Sequence, residues 1–226
     1  MHDETGQTGD VYTLPDEPPL PSRRKRMSGQ QRRDQLVDVA RGLFAQHGFE
    51  AVTVEQIAAA AVVSKPVVYE HFGGKEGIYA VIVDREVTAF TVAMTPSRGL
   101  TDPRLILEAV ALAMLTYIET STDGFRILVR DSPAGMVEGS FASTIQDVTD
   151  NLASILSSQF SHRGFSKRLA PIYAHMLVGM AVQTGQWWVD VRKPSKEVVA
   201  AHLVNLAWHG FEHLEKKPRL SGASEL

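Results

Sequence analysis

The stretch from Thr53 to Tyr79 constrains the fold more than any other part of the chain. Thr53 stands three residues before Gln56, which is the capping-box pattern of a helix start. Ser64 is a second N-cap candidate, with Pro66 in the first turn of the helix that follows. About four residues separate the two predicted helices, the spacing of a helix-turn-helix. The stretch therefore predicts two short helices that are joined by a tight turn and lead directly into a third.

The second of these helices, predicted over residues 65–72, carries polar side chains that a purely structural helix would not need. A helix whose N-terminal half enters a major groove presents its first residues to base edges. Lys65 can donate to guanine O6 and N7 or to a phosphate, whereas Pro66 and Val67 can make only apolar contacts, for example with a thymine methyl group. The pattern therefore predicts double-stranded DNA as a partner.

Charge is unevenly distributed, although the formal net charge is only −3. Residues 1–21 hold five acidic residues and no lysine or arginine, whereas residues 22–77 hold nine basic and six acidic residues. A basic segment around a helix-turn-helix suits an anionic partner. Arg24 and Arg26 belong to a run of four basic residues, which either reaches DNA phosphates and the minor groove or is only a solvated charged run.

The composition disfavours several classes of protein. There is no cysteine, which excludes disulfides and thiolate metal sites. The polar, proline-rich N-terminus does not resemble a signal peptide and no run of about 18 apolar residues is present, so we predict a cytoplasmic protein without membrane contact. Neither a G-x-S-x-G motif nor the P-loop spacing occurs, so we predict no enzyme activity, no catalytic residue and no cofactor.

Helical patterns continue on both sides of the central stretch. Ser28 with Gln31 marks the start of a first helix, and Gly48 marks its end. Asp102 is an N-cap candidate for a helix that is apolar on almost every side. Together the patterns predict an all-α fold of about nine helices. The expected parts are a disordered extension with a basic arm over 1–27, a helix-turn-helix DNA-binding domain over 28–77, and an effector-binding and dimerisation domain over 78–226.

The run from Ile57 to Tyr79 resembles the DNA-binding signature of the TetR family of bacterial transcription regulators. The segments LFAQHGF at 43–49 and TVEQI at 53–57 match that signature too, and the resemblance covers roughly residues 28–85. It implies an all-α homodimer with an N-terminal three-helix head that reads DNA. It also implies a larger C-terminal domain that dimerises and binds a small effector.

The resemblance adds roles to several residues of the head. Tyr69 resembles the phosphate-binding tyrosine of the family, and His71 resembles the polar residue beside it. Thr53 and Lys75 stand at helix starts, where hydroxyl, ammonium and backbone N–H groups can hold the DNA backbone. Ser64 either does the same or, as we favour, caps its helix. The predicted DNA-binding residues are Arg24, Arg26, Thr53, Ser64, Lys65, Pro66, Val67, Tyr69, His71 and Lys75.

One position departs from the family pattern. The family usually has glycine in the turn of the helix-turn-helix, where this chain has Val62. A β-branched residue tolerates positive φ poorly. Either the turn avoids the left-handed conformation or it stores about 1–3 kcal/mol of strain.

Small residues on the last two predicted helices, over 167–191 and 196–215, would allow close helix crossing. Two such helices from each subunit can form a two-fold four-helix interface, which suits a palindromic DNA site. Packing within one chain is the alternative. The predicted dimerisation residues are Met176, Gly179, Met180, Val204, Ala207 and Phe211.

The expected effector is a hydrophobic small molecule. Apolar and aromatic side chains of the larger domain could line a cavity for it, although most such side chains belong to a core. An acyl-type molecule is the specific candidate, because Arg104, Arg126 and Arg130 could meet an anionic head group. The predicted ligand-binding residues are Leu112, Leu115, Tyr117, Ile145, Leu152, Tyr173 and Trp187.

Three histidines share one face of the last predicted helix. His209 and His213 have the i, i+4 spacing that can chelate zinc, and His202 stands two turns earlier. Apolar residues share this face, which lies near the expected dimer interface, and no cysteine assists. We therefore predict no metal site.

These patterns predict a ligand-responsive transcription regulator, a repressor in the favoured form, that binds a palindromic operator as a dimer. An activator of the same family and an effector-independent DNA-binding protein remain open. An all-α enzyme or carrier with a vestigial head is the competing class, and it would bind no duplex at low salt.

Overall fold

The computed structural model describes residues 27–95, 100–130 and 141–220, and the basic arm with Arg24 and Arg26 lies outside these ranges. Within them the chain forms α-helices and one short 3-10 turn at Lys167–Leu169, with no strand. The prediction of an all-α fold with about nine helices is confirmed. The helices are α1 Gly29–His47, α2 Val54–Ala60, α3 Lys65–Phe72, α4 Lys75–Met94, α5 Pro103–Thr120, α6 Thr122–Val129, α7 Phe141–Arg163, α8 Ala170–Val191 and α9 Lys196–Glu212.

Local capping explains where several helices begin. At α1, the Ser28 hydroxyl accepts from the Gln31 backbone N–H at 3.1 Å, and the Gln31 side chain accepts from the Ser28 N–H at 2.9 Å. Thr53 and Gln56 form the same capping box at α2. Asp102 caps α5 by accepting two backbone N–H groups. Each cap contributes about 1 kcal/mol, which matters most for a helix as short as α2.

The helices enclose two hydrophobic cores. The first is formed by α1 to α4, together with Ile127 of α6. The second is formed by residues of α5 to α9, together with Phe90 of α4. Since α4 supplies Ile78 and Ile82 to the first core and Phe90 to the second, it is the structural link between head and body.

In the larger domain, α5 packs chiefly against α9, and α7 packs against α8. Among the described residues, no single helix has the length and hydropathy to cross a membrane. Helices α5 and α6 reach that length and hydropathy only when they are taken together, and they are bent by 105° relative to each other.

Candidate nucleic-acid interface

The turn between α2 and α3 is a Schellman motif with valine in the position usual for glycine. The Val63 N–H donates to the Ala58 carbonyl at 2.9 Å, and the Val62 N–H donates to the Ala59 carbonyl at 3.1 Å. Val62 has a φ of 55°, so the turn adopts the left-handed conformation despite the β-branched side chain. That side chain is 88% exposed and so gains little from packing. Of the two outcomes that the sequence leaves open, the structure shows the strained one.

We expect Val62→Asn to raise the free energy of unfolding by about 1 kcal/mol, because asparagine tolerates the left-handed region and no buried contact is lost. Val62→Ala keeps a β-carbon but removes the branch, so it serves as the matched control with a smaller gain. Urea denaturation followed by circular dichroism measures both. An asparagine variant that is no more stable than the natural chain would show that the turn carries no strain.

Helix α3 buries one side and leaves the other open to solvent. Val68 is fully buried, and Val67 is half-buried against the first core. Lys65 and Pro66 in the first turn are exposed, and Tyr69 is 53% exposed one turn later. The N-terminal half of α3 is therefore accessible along the edge that would meet base pairs.

Two hydroxyl groups stand at the starts of α2 and α3. Ser64 occupies the N-cap of α3 as predicted, but its side chain makes no capping hydrogen bond. The Thr53 hydroxyl is used as an acceptor by the Gln56 N–H at 3.3 Å. A hydroxyl that accepts still has its own proton to donate, and a phosphate oxygen needs such a donor.

An ion pair joins the two helices of the motif. The Lys65 ammonium contacts the Glu55 carboxylate, and both side chains are about half exposed. The hydrogen bond to Glu55 raises the pKa of Lys65, and the same bond lowers the pKa of Glu55. Lys65 is therefore charged but already paired when DNA is absent. Glu55 is a functional candidate that sequence reasoning missed, because its partner stands ten residues away on another helix.

Lys75 at the start of α4 lies half-buried against the link between α1 and α2. Its ammonium donates to the Phe49 carbonyl at 3.0 Å and lies 4.1 Å from the centroid of the Phe49 ring. An ammonium has three N–H donors, so this contact leaves others for a phosphate. Lys75 thus holds the head together in addition to its predicted role at the DNA backbone.

The C-terminal end of α3 is held by α1. Arg33 donates to the His71 carbonyl at 2.5 Å, and its guanidinium lies 4.3 Å from the centroid of the Phe72 ring. His71 itself is half-buried. Sequence reasoning did not find this role of Arg33, since the contact joins residues 38 positions apart.

Three glycines set the angle between α3 and α4. Gly73 ends α3 with φ 74°, and Gly74 begins α4 with φ 140°. Gly77 lies in the first turn of α4, where a β-carbon would stand 1.9 Å from the Phe72 carbonyl oxygen. The backbones of the two helices therefore touch at a distance that only glycine permits.

A buried polar cluster connects the head to the larger domain. The Arg41 Nε of α1 donates to the Glu86 Oε1 of α4 at 2.6 Å, and Tyr117 of α5 donates to the Glu86 Oε2 at 2.8 Å. Ser121 donates to the Glu86 Oε2 at 3.1 Å and accepts from Arg41 at 2.6 Å. We call these four residues the junction cluster. Glu86 is only 8% exposed, so these partners supply the hydrogen bonds that a buried carboxylate requires.

The junction cluster is tightly packed. A β-carbon at Gly124 of α6 would stand 1.8 Å from the Glu86 Oε2, so the carboxylate occupies the space that a side chain would take. Burial raises the pKa of the Tyr117 hydroxyl, and the neighbouring Glu86 charge raises it further, so Tyr117 keeps its proton and donates a hydrogen bond to Glu86. The cluster joins α1, α4 and α5 to the start of α6.

The predicted ligand-binding residues are distributed over the second core, partly buried positions and the surface. Leu115 and Tyr117 are buried in the second core, and Ile145 packs against that core. Leu152 and Tyr173 are half-buried, and Trp187 is 51% exposed. Leu112 lies in a partly open groove of about 630 Å³ between α5 and α9. The groove is lined by Arg104, Glu108, Leu112, Glu197, Ala200, Ala201, His202, Val204 and Asn205.

The three arginines that could meet an anionic head group are all engaged. Arg104 pairs with Glu108 at 3.1 Å and faces the groove. Arg126 pairs with an aspartate of α8, and Arg130 donates to a backbone carbonyl of α1. Of this set, Arg104 lines the groove between α5 and α9.

The predicted dimerisation residues divide between surface and interior. Met176 is 61% exposed and Gly179 is exposed, whereas Met180 and Phe211 are half-buried. Val204 and Ala207 are buried within the chain, in the helix that packs on α5. Three further apolar side chains of α8 and α9 are exposed: Ile172, Trp187 and Leu206.

A three-helix head with an exposed recognition helix, joined through one long helix to a larger helical body, defines a helix-turn-helix transcription regulator. Residues 36–82 match the model of the bacterial regulatory proteins of the tetR family. Residues 99–223 match the model of the tetracyclin repressor-like C-terminal domain. The chain belongs to the TetR family, and it is a DNA-binding regulator of transcription rather than an enzyme.

Similar proteins include both a transcriptional activator and a transcriptional repressor. The chain is 28% identical over 195 residues to the HTH-type transcriptional activator FasR of Mycolicibacterium smegmatis, covering 85% of this chain and 88% of FasR. It is 27% identical over 129 residues to the HTH-type transcriptional repressor ComR of Escherichia coli, covering 56% and 57% of the two chains. A solved TetR-like regulator from Rhodococcus sp. RHA1 has a TM-score of 0.68 at 25% identity, covering 84% of this chain and all of that one.

Proposed function

We propose that this regulator binds a palindromic DNA operator as a homodimer and changes its operator affinity when a hydrophobic small molecule binds. The observation that carries the proposal is the accessible edge of α3. Lys65, Pro66 and Tyr69 are exposed there, beside hydroxyl groups at Ser64 and Thr53. These groups provide one base-reading cation and several phosphate contacts on a single surface.

The homodimer is supported by the outer surface of α8 and α9. Met176 and Leu206 are more than 60% exposed, and a β-carbon at Gly179 or Gly210 would meet nothing within 4 Å. Exposed apolar side chains beside open glycines suit close packing against a second copy. A two-fold dimer would hold two α3 helices over half-sites one helical turn apart, about 34–36 Å, or a multiple of that distance.

The groove between α5 and α9 is the site that we propose for the effector. Its volume, about 630 Å³, suits a small molecule, and Leu112, Ala200 and Val204 provide apolar contacts. Arg104 at its edge can pair with an anion if it releases Glu108. The proposed class is therefore an apolar molecule with one anionic group, such as an acyl chain with a carboxylate.

Helix α5 offers a direct route from the groove to the head. Leu112 lines the groove, and Tyr117, five residues later on α5, donates to Glu86 in the junction cluster. Glu86 in turn accepts from Arg41 of the head. A ligand that displaces α5 would change these hydrogen bonds. It would alter the operator affinity to the extent that it binds one position of α5 more tightly than the other.

Repression is the form of control that we propose, with the ligand releasing the operator. Activation is the second candidate, since the activator FasR matches 85% of this chain and the repressor ComR matches 56%. A reporter gene under a promoter that contains the bound duplex distinguishes them: deleting the regulator raises expression in the first case and lowers it in the second.

Selection of bound duplexes from a random pool tests the DNA proposal. We expect a palindrome whose half-sites are about 10 bp apart, centre to centre, or a multiple of that distance. In sedimentation velocity, we expect the smallest protein–DNA complex to contain one dimer per palindrome. Recovery of duplexes without a shared sequence would favour an effector-independent DNA-binding protein.

We expect Glu55→Gln to tighten binding to the selected duplex severalfold, because it frees Lys65 and removes a negative charge beside the phosphates. Lys65→Met should weaken binding and lower the slope of log affinity against log salt by about 1 for each half-site. Fluorescence anisotropy at several salt concentrations measures both. The double variant is the control: Glu55→Gln should gain much less when Lys65 is absent. Equal gains in both backgrounds would show that Glu55 acts only as a general repulsive charge.

We expect Leu112→Trp to fill the groove and to weaken binding of a fluorescent long-chain fatty acid about tenfold or more. Ile155→Trp on α7 is the matched control, since Ile155 is 60% exposed and is not among the residues that line the groove. Fluorescence titration of the untagged full chain gives both affinities. Equal affinity in the natural chain and in Leu112→Trp would place the effector elsewhere.

A further inference from the structure

The C-terminal end of α9 brings together three side chains that bind metal ions. His209, Glu212 and His213 are exposed, and each offers one ligand atom within 4.8 Å of the others. Sequence spacing singles out only the two histidines. The helix adds Glu212, because positions i, i+3 and i+4 lie on the same face.

The spacing of two ligand atoms suits a tetrahedral ion. The His209 Nδ1 and the Glu212 Oε2 are 3.2 Å apart. Two donors on a tetrahedral zinc ion stand about 3.3 Å apart, because each bond is about 2.0–2.1 Å long. The ligand atom of His213 lies within 4.8 Å of the other two, so rotation of its imidazole would bring it to the ion as a third ligand.

Two of these side chains are also oriented by further hydrogen bonds. The His213 Nδ1 lies 2.9 Å from the His209 carbonyl, which leaves its Nε2 for a metal. The Glu212 Oε1 accepts from the Trp208 Nε1 at 2.7 Å, which leaves its Oε2 for a metal. Metal-binding histidines and carboxylates are commonly held in this way, and the support strengthens binding.

We propose that His209, Glu212 and His213 form a binding site for a divalent transition-metal ion, with zinc as the first choice. The two imidazoles favour zinc, copper and nickel over magnesium or calcium, and one carboxylate is compatible with that set of ions. Solvent or a second protein group completes the coordination. The site lies on α9 close in sequence to Leu206 and Gly210, which we propose for the dimer surface. Its test measures zinc binding, not DNA or effector binding, so the test can fail without affecting the proposed function.

Isothermal titration of the untagged full chain with zinc chloride tests the site. We expect one zinc ion per chain and a rise in the thermal midpoint of unfolding as zinc is added. His213→Ala and Glu212→Gln should each weaken zinc binding about tenfold or more, and Trp208→Phe should weaken it by about tenfold through the lost support of Glu212. Cobalt(II) should give the intense visible absorption of a tetrahedral site with the natural chain and should lose it in His209→Ala/His213→Ala.

His202→Ala is the matched control, because His202 is exposed on α9 but stands seven residues, about 10 Å, before His209. Zinc affinity should be unchanged in this variant. All the substituted side chains except Trp208 are exposed, so circular dichroism should show an unaltered fold. The proposal is overturned by any of three results: no saturable zinc binding, zinc retained by His209→Ala/His213→Ala, or equal loss in His202→Ala.

Discussion

Gly77→Ala is expected to abolish specific operator binding and to lower the free energy of unfolding by about 2–3 kcal/mol. A β-carbon at this position would stand 1.9 Å from the Phe72 carbonyl oxygen, and backbone atoms cannot yield as a flexible side chain would. Helices α3 and α4 would have to separate, which displaces Lys65 and Tyr69 from the positions that we propose for DNA contact. Anisotropy with the selected duplex and urea denaturation measure the two effects.

Gly42→Ala provides the matched control for this prediction. Gly42 lies within α1, and a β-carbon there would meet nothing within 4 Å. Alanine should therefore leave duplex affinity unchanged and raise stability by up to about 1 kcal/mol through its higher helix propensity. If Gly77→Ala behaved like Gly42→Ala, the close approach of α4 to the end of α3 would not position the recognition helix.

Arg41→Met is expected to lower the free energy of unfolding by about 3 kcal/mol, because it leaves the buried Glu86 carboxylate without its cation. Tyr117 and Ser121 would still donate to Glu86, so the loss is not the full penalty of an isolated charge. Adding Glu86→Gln removes the charge and keeps an acceptor for Tyr117. The double variant should therefore recover most of the lost stability. Denaturant titrations of the four proteins form a double-mutant cycle.

An exposed ion pair between the same two helices, α1 and α4, serves as the control. Arg85 of α4 donates to Asp34 of α1 at 3.0 Å, and both side chains are about 45% exposed. Arg85→Met should cost less than about 1 kcal/mol, since solvent screens the pair. If Arg41→Met lowered the free energy of unfolding no more than Arg85→Met does, the junction cluster would not be what stabilises the contact between the head and the larger domain.

Local sequence patterns were sufficient for the elements of the head. The boxes at Ser28 and Thr53 form as predicted because each depends on residues three positions apart. Gly48 ends α1 as predicted, for a similarly local reason. The outcome at Val62 needed the structure, since hydrogen bonds from two consecutive residues hold it in the left-handed region.

Contacts between distant residues could not be read from the sequence. Lys75 meets the Phe49 carbonyl 26 positions away, and Glu86 meets Arg41 and Tyr117 across 45 and 31 positions. Tyr117 was predicted to line a ligand cavity because an aromatic side chain on an apolar helix suits both a pocket and a core. The structure places it in the junction cluster, where its hydroxyl has a buried charged partner.

The shared helix α4 has a consequence for protein engineering. Ile78, Tyr79, Ile82 and Val83 belong to the core of the head, although they follow the helix-turn-helix in sequence. A chimera that grafts residues 28–77 onto another effector domain would lose these four side chains and the contact with Ile127 of α6. An exchangeable unit has to carry α4 through Glu86 and bring an α6 that matches it. The DNA-binding head should therefore be transferred together with α4 and a matching α6.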